Sequence, residues 1–188
     1  MTASKESPNS LRNHLLVASP YLQDPRFHGA VIYICEHSDE GALGLMVNQP
    51  LDIHLGEILE QLDMDGGELD VPVYNGGPVQ QERGFVLHTP EKSWQNTAEV
   101  TGKVWLTTSR DVLSDIGAGE GPESYLVCLG YSGWSEGQLE EELASNAWLN
   151  CPAYPEILFN TSSEERYKAV LTAIGVDINQ LSDSIGHA

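Results

Sequence analysis

Cysteine next to histidine is the pairing in this chain that most invites a chemical reading. In Cys35-Glu36-His37 an imidazole two residues from a thiol could draw its proton and leave a nucleophilic thiolate. On a regular strand, positions i and i+2 share a face, which would bring the two groups together. The plainer reading is a buried cysteine on a central strand with His37 capping a turn at the strand end, since free cysteine is among the most buried residue types. A second candidate is Gly130-Tyr131-Ser132-Gly133-Trp134, placed between an apolar run and a helical pattern. It approaches the G-x-S-x-G elbow on which hydrolases mount a serine, but Trp134 stands where the last glycine belongs and would crowd the turn. The plainer reading is a glycine-rich strand-to-helix connection with a solvent-facing Ser132.

Metal chemistry has less support. His14, His28, Glu36, His37, His54 and His88 are scattered singly, with no H-x-H, H-x-x-x-H or C-x-x-C spacing, so neither a metal nor another cofactor is expected. Asn75-Gly76-Gly77-Pro78 with Arg83 offers backbone N–H groups and a cation that could hold an anion, although adjacent glycines more simply mark a tight hairpin turn. Gln138, Glu142, Asn146 and Trp148 sit on or beside one helix, as a solvated face or an interaction surface. No residue is assigned a catalytic role. The candidate ligand or interaction set is Glu36, His37, Asn75, Gly76, Gly77, Arg83, His88, Tyr131, Trp134 and Gln138.

The elements that must position these groups are legible in part. His14–Ala18 is a short apolar strand, and Asp24-Pro25-Arg26-Phe27 a turn. Ala30–Cys35, β-branched and apolar on both faces, predicts a central strand, with Ala42–Val47 as its hairpin partner across Ser38–Gly41. Leu55, Ile58, Leu59 and Leu62 recur at i, i+3, i+4 and i+7 and predict a helix ending before Asp65-Gly66-Gly67. Val71–Tyr74 predicts a strand that its proline confines to an edge. Gly84–His88, Lys103–Thr107 and Tyr125–Leu129 are further strands. Ser109 caps a helix carrying Val112, Leu113 and Ile116, with Gly117 or Gly119 as its stop. A helix is expected from about Gly137 to Trp148. Another obeys the Ser162-x-x-Glu165 capping pattern, with Tyr167, Val170, Leu171 and Ile174 inward and Gly175 as its end. Strands outnumber helices without regular alternation. The expectation is an α+β single domain over residues 13–188 after a flexible N-terminus of residues 1–12.

Charge narrows the function classes. The chain of 188 residues holds 28 Asp and Glu against 9 Lys and Arg, a net of −19. Between Arg26 and Arg83, and again between Arg110 and Arg166, no Lys or Arg interrupts eleven carboxylates. Affinity for nucleic acid comes largely from cations that displace counterions around phosphates, so direct DNA or RNA binding is disfavoured, as is an anionic membrane surface. The longest apolar runs fall far short of a bilayer span, and the first residues carry no secretory pattern. Three widely separated cysteines, Cys35, Cys128 and Cys151, read as reduced thiols of a cytoplasmic protein.

Taken in order, Pro20…Asp24-Pro25…Phe27, Cys35-Glu36-His37…Gly41-Ala42-Leu43-Gly44-Leu45…Asn48-Gln49-Pro50, Tyr74-Asn75-Gly76-Gly77-Pro78-Val79, Arg83-Gly84-Phe85-Val86-Leu87-His88, Leu129-Gly130-Tyr131-Ser132-Gly133-Trp134…Gly137-Gln138-Leu139-Glu140…Asn146-Ala147-Trp148-Leu149 and the closing Gly186-His187-Ala188 resemble the AlgH/YqgE family of bacterial proteins. The resemblance spans about His14 to Ala188. It implies one α+β domain with a curved, barrel-like sheet flanked by helices, located in the cytosol. Members carry the label of transcriptional regulators, with a link to alginate biosynthesis in pseudomonads, and the family supplies no catalytic residues to carry over. Ser132 departs from the alanine usual at that place, which counts against an obligatory serine nucleophile. The function expected is therefore a non-enzymatic regulator acting through a small-molecule or protein partner. The alternative is a small-molecule hydrolase using a Cys/His or Ser site.

Overall fold

The computed structural model describes residues 10–22 and 24–175, so the Gly186-His187-Ala188 segment lies outside the described residues. Within them the chain order is β1 (His14–Ala18), a 3-10 turn (Pro25–Phe27), β2 (Val31–Ser38), β3 (Gly41–Met46), β4 (Pro50–His54), α1 (Leu55–Gln61), β5 (Pro72–Asn75) and β6 (Val79–His88). Then come β7 (Thr97–Glu99), β8 (Trp105–Thr107), α2 (Asp111–Gly117), β9 (Tyr125–Trp134), α3 (Gln138–Ala144), β10 (Trp148–Pro152), α4 (Pro155–Phe159) and α5 (Ser163–Ile174). The strands run β10-β1-β2-β3-β9-β6-β8-β7 across one curled sheet, with β5 beside β9 and β4 beside β5. β5 and β9 are parallel and the other pairs antiparallel, which makes the sheet mixed within an α+β domain.

Apolar side chains on both faces explain the layering. The concave face gathers Leu15, Val17, Tyr33, Leu45, Phe85, Leu87 and Leu106 around Ile157, Leu158, Val170 and Leu171 of α4 and α5. The other face is divided. Ile32, Ile34, Met46 and Trp134 pack on Leu139 of α3, while Val73, Val86 and Val127 pack on Leu55 and Leu59 of α1 and Val112 and Ile116 of α2. The predicted stripes of α1 and α5 are the ones that point inward, with Arg166 buried among the apolar positions of α5.

Several expectations are corrected. β5 is not an edge strand: it lies between β4 and β9, and Pro72 is tolerated because it is the first residue of the strand. The run Gly130–Trp134 is not a connection but the second half of β9, so Ser132 is buried in the sheet. The helix beginning near Gly137 stops at Ala144. Asn146 takes a left-handed φ of 62°, and Trp148 opens β10, which pairs with β1 along its length. Arg110, not Ser109, occupies the cap of α2, while the Ser109 hydroxyl donates to Asp111 Oδ1.

Asn75–Pro78 is a crossover, not a hairpin turn. β5 lies on one side of β9 and β6 on the other, so the connection passes over β9 at Gly130. A Cβ at Gly76 would sit 2.2 Å from the Gly130 carbonyl oxygen, and one at Gly77 2.2 Å from the Tyr131 carbonyl. Gly77 and Gly130 also adopt φ of 155° and 79°. Both the approach and the dihedrals require glycine there.

Candidate functional site

An open groove of about 760 Å³ lies where the β2–β3 hairpin and the end of β9 face β7 and β8. Its floor is apolar, with Leu43, Val100, Leu106 and Tyr131, and its rim carries Glu36, Glu40 and Glu99 together with Arg12. All four charged residues are exposed. A volume of this order falls within the range of small-molecule sites. Of the ten residues singled out in the sequence, Glu36, His37, Tyr131 and Trp134 line the groove. Arg12, Glu40 and Glu99 escape sequence reasoning because they come from three separate segments, the approach to β1, the β2–β3 turn and β7, and match no local motif.

The Cys35–His37 pair is divided by the fold. Ile34 pairs with Gly44 but Glu36 with Leu43, so a β-bulge at Cys35 inserts one residue and shifts the alternation of the strand. Cys35 points into the concave core, whereas His37 pairs with Ala42 on the face covered by α3. The i, i+2 rule fails here for that reason. His37 caps no turn. Its Nδ1 accepts the Leu11 N–H at 2.8 Å, so its proton is on Nε2 and is donated to Glu140 of α3. The bulge instead turns Glu36, opposite Leu43, toward the groove.

The thiols are unsuited to attack. Burial, with the neighbouring Cys128 and Glu36 adding to it, pushes the Cys35 thiol well above the ordinary value. Burial also pushes Cys128 up to about 12 and raises Cys151. A protonated thiol is neither a nucleophile nor a metal ligand. Ser132 donates its hydroxyl to the Gly76 carbonyl at 3.2 Å, a bond that fastens β9 to the crossover and leaves the oxygen under backbone. Among the described residues no group of three or more His, Cys, Asp or Glu is placed to hold a metal ion.

The remaining candidates lie elsewhere. The Gly76 N–H donates to the Leu129 carbonyl at 2.8 Å and the Gly77 N–H to Asn75 Oδ1 at 3.1 Å, so neither points outward to cradle an anion. Arg83 is exposed on β6 with its guanidinium 5.2 Å from the centre of the Phe85 ring, which meets Tyr131 edge-on at 5.6 Å. His88 is wholly buried at the far end of β6. Its Nδ1–H donates to the Thr89 carbonyl at 2.8 Å, and its Nε2 accepts the Thr107 hydroxyl at 2.7 Å. Thr97 then donates to Thr107 at 2.7 Å and accepts the Trp94 N–H at 2.7 Å. Burial lowers the His88 pKa despite the opposing pull of the Thr89 carbonyl and of Glu91. This relay ties β6, β7 and β8 together as structure. Gln138 lies on α3 beside Glu142, at a second, smaller cavity.

The family described as "DUF179: AlgH-like" matches residues 15–179. A protein of Hahella chejuensis called UPF0301 protein is 48% identical over 182 residues, 97% of this chain and 98% of that protein. One of Shewanella woodyi with the same description is 50% identical over 185 residues, 96% of this chain and 100% of its own length. The solution structure of the AlgH protein from Pseudomonas aeruginosa superposes with a TM-score of 0.79 at 45% identity, covering 96% of this chain and 97% of that one. A crystal structure of a Corynebacterium diphtheriae protein shares the fold at a TM-score of 0.62 and 20% identity, covering 83% and 81%. The chain therefore belongs to the AlgH-like family.

Proposed function

We propose that this protein is a non-enzymatic cytoplasmic regulator that works by binding a partner in the concave groove, and that the partner presents a basic, partly apolar segment. The observation that carries the reading is the composition of the groove: a floor of Leu43, Val100, Leu106 and Tyr131 beneath a rim on which three carboxylates, Glu36, Glu40 and Glu99, outnumber the one cation, Arg12. An apolar floor rewards burial of side chains, and the carboxylates steer and orient a cation above it. The high thiol pKa values and the buried Ser132 hydroxyl weigh against the hydrolase alternative. The chain's net charge of −19 weighs against direct contact with DNA, so an influence on transcription would pass through a protein.

Calorimetric titration with a short peptide alternating Lys and Leu tests this. Reversing two rim charges, Glu36→Lys with Glu99→Lys, is expected to weaken binding at least tenfold, about 1.4 kcal/mol. Reversing two exposed carboxylates outside the groove, Glu120→Lys with Glu123→Lys, changes the net charge equally and should leave affinity within about twofold. Equal weakening by both pairs would mean diffuse attraction to an acidic surface and would remove the proposal.

A further inference from the structure

A second cavity, of about 220 Å³, lies on the α3 side of the sheet between the 3-10 turn, the end of β9, α3 and the start of β10. Three aromatic rings stand in its wall. Trp148 meets Phe27 edge-on at 5.6 Å and Trp134 at 6.0 Å, with interplanar angles of 67° and 74°. Glu142 fixes the two indoles: its Oε1 accepts the Nε1–H of Trp134 at 2.9 Å and of Trp148 at 2.8 Å. Its Oε2 accepts Gln138 Nε2 at 3.1 Å. Two other charges line the cavity, Arg26 and Asp24, and they neutralise each other through a fork in which Nη2 meets Oδ2 at 2.7 Å and Nε meets Oδ1 at 3.1 Å. The cavity lining is left with one net negative charge, that of Glu142.

We propose that this cavity binds a small organic cation of the methylated or quaternary ammonium class, held against Trp134 and Trp148 with Glu142 as its counter-charge. The indole is the strongest aromatic partner for a cation, and an N–H bonded to a carboxylate leaves its ring richer in electrons. Aromatic walls around a single carboxylate are the environment such cations select. The degree of alkylation is set by the hydrogen bonds. Glu142 already accepts three, so the cavity has little capacity for the three donors of a primary ammonium, whereas a quaternary ammonium has no donors to satisfy. The volume admits a head group and a short tail, not a folded segment. This site and the acidic groove both touch Trp134, but the binding chemistry here is independent of what the groove takes.

Two-dimensional NMR of the indole N–H signals, with choline as the probe, tests the proposal on the intact chain. The expected result is a saturable shift of the Trp134 and Trp148 resonances by choline. The uncharged carbon isostere of choline should bind at least tenfold more weakly. In Glu142→Gln the amide oxygen still accepts both indoles, so the wall is kept while the charge is lost, and choline affinity should fall at least tenfold. Should that variant fail to fold, the comparison of choline with its isostere on the unaltered protein decides. An absence of saturable shifts, or equal binding of the charged and uncharged probes, overturns the proposal, and so does a folded Glu142→Gln variant that binds choline as before; the cluster would then be only a clamp joining α3 to β9 and β10.

Discussion

At the scale of single residues, burial decides what the titratable groups do. His88 is held neutral, with its tautomer set by the Thr89 carbonyl on one side and the Thr107 hydroxyl on the other. Its folded pKa lies below the ordinary value of 6.5, so between the two the unfolded chain binds more protons than the folded one. The stability contributed by the neutral imidazole is thus complete above pH 6.5 and is lost as pH falls through that value toward the lowered folded pKa. Urea unfolding of the wild type and of His88→Gln should show the variant less stable by about 1–3 kcal/mol at pH 8. The gap should narrow as pH is lowered toward about 5. A gap that widens on acidification would mean that the imidazole is charged in the fold. The thiols give a second prediction. With Cys35 and Cys128 buried and held protonated, iodoacetamide at about pH 8 should leave both unmodified in the native protein and label them once urea is added. Rapid labelling of Cys35 in the native state would restore the case for an activated nucleophile.

At the scale of elements, the chain is readable wherever a local pattern and a local job coincide. The β2–β3 hairpin and helices α1 and α5 arise from β-branched runs and 3.6-residue stripes, because one packed face sets each of them. The misreadings share one cause, a residue whose role is set by a distant segment. The glycines of Gly130–Trp134 look like turn residues, yet Gly130 exists to let Gly77 pass over β9. Ala147 and Trp148 extend the helical pattern that begins at Leu139, but the backbone of Asn146 breaks the helix and β1 recruits Trp148–Pro152 as β10. β7 is three residues long and polar, too short to show a period. The bulge at Cys35 is likewise invisible in sequence, and it alone decides that Glu36 faces the groove while His37 faces α3. The crossover is the element most open to test. Gly77→Ala or Gly130→Ala would push a methyl group into backbone and should cost more than about 3 kcal/mol or abolish folding. Gly84→Ala, where nothing lies within 4 Å of the added carbon, should be neutral or stabilising by about 0.5–1 kcal/mol. Chemical denaturation of the three variants separates the cases, and a tolerated Gly77→Ala would contradict the crossing geometry.

At the scale of the whole molecule, electrostatics and curvature act together. The curled sheet exposes a groove at its mouth, and carboxylates from β2, the β2–β3 turn and β7 converge there although β7 is far from the hairpin in sequence. The acidic balance is plain from composition, but its concentration over an apolar floor is a product of topology. Among the described residues no helix is long and apolar enough to cross a membrane. With a net charge of −19, fluorescence anisotropy of labelled duplex DNA should not change on adding the purified protein, even at low salt where phosphate contacts are strongest. Salt-sensitive binding would instead require a locally cationic surface, against the net charge of the chain.

The groove's role is tested most sharply by finding where a basic, partly apolar segment settles on this surface. A Lys- and Leu-containing peptide carrying a paramagnetic label, added to the isotopically labelled protein, should broaden the resonances of Glu36, Glu40, Leu43, Glu99 and Tyr131 and spare the acidic residues of α2 and α5. Broadening spread evenly over every acidic segment, or absent from the groove, would refute a partner site there.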